Sequence, residues 1–118
     1  MSKILCSLVL AGMVTVLGSV QAGSTPGRST TFERVEANTT DVFKRTFFGG
    51  ESATVSVIGD GDTDLDVYVY DENNNLIAKD EGPTDNCFVR WTPKWTGKFT
   101  IRVVNRGRVF NRYRIATN

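Results

Sequence analysis

From residue 31 to the C-terminus, apolar and polar side chains alternate with a period of two in one short stretch after another. In Ser52 to Ile58, Ala53, Val55 and Val57 alternate with Thr54, Ser56 and Ile58. In Asp64 to Asp71, Leu65, Val67 and Val69 alternate with Asp66, Tyr68 and Tyr70. In Lys98 to Val104, Phe99, Ile101 and Val103 alternate with Thr100, Arg102 and Val104. Successive side chains of an extended chain point to opposite faces, so each stretch reads as a half-buried strand. Weaker alternation marks Thr31 to Ala37, Asp41 to Phe48, Leu76 to Asp80, Cys87 to Thr92 and Phe110 to Thr117. No stretch places apolar residues at helical spacing over three turns.

Turn-forming residues separate the strands: Gly49-Gly50-Glu51, the run Asp71 to Asn75, Gly82-Pro83, Pro93 to Gly97, and Gly107. The Asn-rich run reads as a hairpin, because asparagine tolerates the left-handed conformations that tight turns demand. Seven or eight strands at spacings of about ten residues predict an all-β fold, a two-sheet antiparallel β-sandwich. Its predicted core is Val55, Val57, Leu65, Val67, Val69, Cys87, Val89, Trp91, Phe99, Ile101, Val103, Tyr113 and Ile115. No internal repeat and no second domain is visible.

The N-terminus differs in kind. Lys3 precedes an almost wholly apolar run from Ile4 to Leu17, and Val20-Gln21-Ala22 places small residues at −3 and −1 of a cleavage site. That is the build of a secretory signal over residues 1–22, too short to span a bilayer comfortably. An uncleaved anchor is the alternative. Cys6 lies too early for a lipoprotein. Residues 23–31 carry no large apolar side chain and read as a flexible lead-in, leaving 32–118 as the domain. The expected location is secreted or periplasmic.

Composition narrows the function. With Lys3 removed, 13 Lys and Arg face 13 Asp and Glu. A neutral chain gives no bulk attraction to nucleic acid, nor to membrane once the signal is cleaved. The chain has no His, which removes the usual general base, the commonest zinc ligand and the Ser-His-Asp and Cys-His arrangements. A non-enzyme, monomeric and with a protein or polysaccharide partner, is expected. Two alternatives stand beside it: a calcium-dependent structural protein of the cell envelope, and a small secreted enzyme or peptidase inhibitor. Cys87, with Val89 and Trp91 on its face, is expected to be buried as a small hydrophobe.

The charges are segregated. Residues 60–85 hold nine acids and one base, whereas 86–118 hold eight bases and no acid. If consecutive strands pair, the two halves lie side by side and neutralise each other, with Asp64 and Asp66 facing Arg90, Arg102 or Arg112. Alternatively, the carboxylates at every second position from Asp60 to Asp66 suit calcium, which takes six to eight oxygen ligands. The run is not an EF-hand loop, since Leu65 stands where glycine is required. Asp62, Asp64 and Asp66 are the candidate ligands, and calcium is the only candidate cofactor. The exposed aromatics Tyr68, Tyr70 and Trp95 are candidates for stacking on a sugar or gripping a peptide, against a structural role as covers for the sandwich.

The stretch Gly59 to Asp71, the Asn-rich turn with Leu76, then Trp91-Thr92-Pro93 and Trp95 to Val103 resemble the bacterial pre-peptidase C-terminal domain over roughly Phe43 to Thr117. The resemblance implies a jelly-roll-like sandwich, export, and a non-catalytic accessory role, usually appended to secreted peptidases. Some relatives, the collagen-binding domains of clostridial collagenases, bind calcium and a protein ligand, which again points to Asp62, Asp64 and Asp66. Here the signal reads almost directly into the domain, so the module is expected to act alone or in trans.

Overall fold

The computed structural model describes residues 28–118. The signal sequence read at 1–22, and most of the lead-in, lie outside the described residues. Eight strands follow: β1 (Ser29–Val35), β2 (Thr40–Phe47), β3 (Ala53–Ile58), β4 (Leu65–Tyr70), β5 (Leu76–Asp80), β6 (Asn86–Trp91), β7 (Gly97–Asn105) and β8 (Asn111–Thr117). They form two four-stranded antiparallel sheets in the orders β1-β8-β3-β6 and β2-β7-β4-β5. Only β4 and β5 are consecutive strands in one sheet; every other connection crosses to the opposite sheet. That is the winding of a jelly roll. The expected all-β sandwich is the observed fold.

β1 begins at Ser29, so residues 29–31, read as lead-in, are strand paired with 115–117. The β4–β5 hairpin turns through Asn74 at φ 66, as the Asn-rich run predicted. Asp71 anchors it by accepting the N–H groups of Asn73 and Asn75 at Oδ1. These bonds to the carboxylate, the one from the Asn75 backbone foremost, hold the Asp71 carboxyl below the usual carboxylate range.

All thirteen predicted core residues are buried, joined by Val35, Phe47 and Ala53. Leu65, Val67, Val69, Ile101 and Val103 are fully covered because β4 and β7 are the central strands of their sheet. Phe47 meets Trp91 edge-on, with ring centroids 4.9 Å apart, and Phe99 completes the cluster. Burying such rings is the main favourable contribution to stability in a domain this small.

The pairing does not neutralise the two charged halves as expected. β7, with Arg102, lies beside the acidic strand β4, but β6 and β8, with Arg90, Arg112 and Arg114, lie in the other sheet. Alternation dictates which side chains face inward. It does not dictate which strands meet, and the crossing loops decide that here.

Candidate functional site

The jelly-roll winding gathers four loops at one end of the sandwich and three at the other. The first end holds the acidic run. There Gly59 donates its N–H to the Asp85 carbonyl, Leu65 to that of Thr84, and Arg106 to that of Asp64. The carboxylates of the run have separate tasks. Asp60 accepts the backbone N–H of Arg112 at Oδ2 (2.9 Å) and that of Asp62 at Oδ1. Asp85 accepts from Gly61 N–H and from Asn111 Nδ2. Both act as caps for backbone and side-chain donors where no ladder partner exists. Asp62 is exposed.

Asp66 is buried and takes Arg106 Nε at 2.9 Å. The expected partners Arg90, Arg102 and Arg112 form no ion pair with it among the described residues. Arg106 also donates through Nη2 to the Tyr68 hydroxyl, which itself donates to Glu81. Lys79 holds Glu81 from the far side at 2.9 Å. Tyr68 is thus fixed in a charged chain on the outer face of β4 and β5, and the Glu81 bond raises its pKa. Tyr70 stands beneath Arg102, whose guanidinium carbon is 5.5 Å from the ring centroid. Both tyrosines are only half-exposed. Sequence reasoning missed Arg106 because it lies in a turn and reaches Asp66 only once the loops meet.

Asp64 and Asp66 each keep one carboxylate oxygen, Oδ1, buried without a hydrogen-bond partner. Among the described residues no three acidic side chains are placed to hold a metal ion together. The Asp64 carboxyl lies above its ordinary range, chiefly through burial, then through repulsion by Asp66, with Arg106 opposing and Asp85 adding to the rise. A raised carboxyl favours the folded state when protonated. Its contribution is complete below 3.8 and is lost as pH rises through the higher folded value. Asp64→Asn should therefore raise the melting temperature at neutral pH and flatten its decline just above that range. A melting temperature lowered at neutral pH by this substitution would contradict the assignment.

Cys87 is buried, donates its thiol to the Leu65 carbonyl at 3.0 Å, and is the free cysteine of the described residues. Burial, then Asp80 and the other nearby carboxylates, pushes its pKa up to about 12. Reactive thiols are those with depressed pKa and access. A thiol reagent should leave Cys87 unlabelled in the native state and modify it only in urea; rapid native labelling would contradict this burial.

The opposite end carries Trp95. Gly50 N–H bonds the Pro93 carbonyl, and Gly49 N–H bonds Thr96 Oγ1, so the β2–β3 loop braces the β6–β7 loop. A Cβ on Gly49 would lie 2.7 Å from Trp95 Cα, so only glycine permits that approach. Beside it lies a mainly apolar cavity of about 340 Å³ whose walls include Ile77, Trp91, Pro93, Trp95 and Phe99, together with the polar Asp71, Asn75, Thr92 and Lys94. Trp95 is 50% exposed, whereas Trp91 is 8% exposed and its Nε1–H is buried without an acceptor. The structure thus keeps Trp95 apart from Tyr68 and Tyr70: two candidate surfaces, not one.

No protein-family model matches the chain, and neither does any curated protein. Among solved structures, the crystal structure of the pre-peptidase C-terminal domain of a collagenase from Bacillus anthracis is similar, with a TM-score of 0.61 and 16% identity, over 77% of this chain and 89% of that one. At that identity the likeness is one of fold. With the strand order above, it makes the described chain a jelly-roll sandwich with the fold of a pre-peptidase C-terminal domain.

Proposed function

We propose that this chain is an exported, non-catalytic accessory module that grips an extended segment of a protein partner at the Trp95 end. The observation that carries the reading is the Trp91–Trp95 cavity. Its walls suit a ring or branched apolar side chain. A sugar would need several polar partners to replace its hydration, and these walls are mostly apolar. Absence of catalysis is supported by the lack of any His and by the protonated, shielded state of Cys87.

Selection of displayed peptides on the domain, counter-selected on Trp95→Ala, tests this. Enriched peptides should carry Pro, Phe or Tyr on an extended backbone, and Gly49→Ala should weaken them by displacing the Trp95 backbone. Equal recovery on the wild type and Trp95→Ala, or retention on insoluble polysaccharide that Trp95→Ala leaves unchanged, would sink the reading.

A second reading, a calcium-stabilised structural protein of the envelope, is favoured by the two orphaned oxygens of Asp64 and Asp66. Calcium there would draw its remaining ligands from carbonyl and water oxygens. It would stabilise the native state by about 2.7 kcal/mol at a hundredfold excess over the dissociation constant. The melting temperature should then rise by several degrees with millimolar calcium and fall with chelator, magnesium should do much less, and Asp64→Asn should abolish the response. A melting curve indifferent to both calcium and chelator removes this reading and leaves the binding module standing.

A further inference from the structure

The outer face of the β1-β8-β3-β6 sheet is unlike the rest of the surface. Its register aligns Phe32 with Arg114 and Arg114 with Ile58, then Ala116 with Ser56 and Ser56 with Phe88, then Thr54 with Arg90. Phe32 is 81% exposed, Phe88 53% and Ile58 42%. The outward strand positions carry Arg34, Arg90, Arg112 and Arg114, and no Lys, Asp or Glu. Arg34 is already engaged, by Glu36 at 2.7 Å and by the Phe110 ring at 3.8 Å. Among the described residues Arg90, Arg112 and Arg114 form no ion pair. Four acids border this face: Glu36, Asp60, which caps the Arg112 N–H, Asp80, which caps the Phe88 N–H at 2.9 Å, and the half-buried Glu33. Apart from Asp80 at the β6 edge, the acids of β4 and β5 stand on the other sheet.

The geometry points to this face as a docking surface for the acidic patch of a folded partner protein, with apolar contacts at Phe32 and Phe88 on its two edges and at Ile58 between them. Arginine and aromatic residues with lysine and acids depleted are the composition of an interface centre, not of an ordinary solvated face. Arginine forks pair with carboxylates in two-point contacts, which gives the partner its sign. Phe32 and Phe88 stand on the two edge strands, which lie about 14 Å apart at the usual strand spacing, so one extended peptide running parallel to the strands cannot cover both. This surface lies outside the Trp95 cavity and does not depend on it.

The test places a photocrosslinking phenylalanine analogue at position 88 in the producing cell, with position 100, on the opposite wall, as the control. The captured species is identified, purified and titrated against the wild type, Arg112→Glu/Arg114→Glu and Trp95→Ala. A folded acidic protein captured at 88 and not at 100 is the expected result. Its affinity should fall about tenfold or more with the double charge reversal and with added salt, while Trp95→Ala leaves it unchanged. These exposed substitutions should leave the melting temperature in place, which separates lost docking from lost folding. Capture of phospholipid, capture of a second copy of this chain alone, no adduct above the control, or an affinity indifferent to charge reversal would each overturn the inference.

Discussion

Asn105→Ala should lower the unfolding free energy by about 3 kcal/mol or more, a large share of the 5–15 kcal/mol typical of a whole domain. Asn105 is 1% exposed at the end of β7. Its Nδ2 donates to the carbonyls of Val35, Glu36 and Val109, and its Oδ1 accepts the Gly107 N–H at 2.8 Å. One side chain thereby satisfies backbone groups from the β1–β2 and β7–β8 connections, where no strand ladder can. Thr39 still bonds the Glu36 carbonyl through its N–H and Oγ1, but alanine takes the Asn105 partner from the Val35 and Val109 carbonyls and the Gly107 N–H, and each unmet group costs about 1–3 kcal/mol. In urea the midpoint should fall by roughly 2 M with an unchanged slope. A midpoint within experimental scatter of the wild type would mean that water replaces Asn105 freely, and that this end of the sandwich is not closed by it.

Trp91→Ala should be costlier still, at about 3–5 kcal/mol, because it empties the centre of the aromatic cluster with Phe47 and Phe99. Trp91→Phe separates packing from chemistry. It keeps a ring against Phe47 while removing an N–H that has no partner in the domain. Its stability cost should be near 1–2 kcal/mol by the usual scale for partial truncation. It also leaves Trp95 as the single tryptophan of the chain's two, so an emission shift on titration reports the cavity directly. A cost as large as that of Trp91→Ala would show that a single ring against Phe47 does not hold the cluster together.

Much of this molecule was legible in one dimension. Alternation located the strands, since side chains of period two can bury only one face of an extended chain. The same pattern named Leu65, Val67 and Val69 as core, and set Asp66, Tyr68 and Tyr70 on the outer face. Gly and Asn runs located the turns, and the left-handed Asn74 is where the hairpin needed it. The Asp-rich stretch, the Asn turn and the Trp-to-Val103 stretch pointed to the fold that the structural comparison bears out.

Tertiary structure alone decided which strands meet and what the polar residues do. Inward-facing residues look alike whether β8 pairs with β1 and β3 or with a neighbour in sequence, because burial rewards the face and not the partner. The crossings that separate β6 and β8 from β4 leave Arg90, Arg112 and Arg114 without an acid partner among the described residues and hand Asp66 to Arg106. Asp60 and Asp85 became caps because the loops that cross the end of the sandwich have backbone N–H groups and no ladder to receive them. The Trp91–Trp95 cavity forms where the β4–β5 and β6–β7 loops meet at one end, with the β2–β3 loop bracing the latter. Hydrophobic periodicity is a local property written residue by residue; hydrogen-bond satisfaction and charge pairing depend on neighbours that only the folded chain brings together.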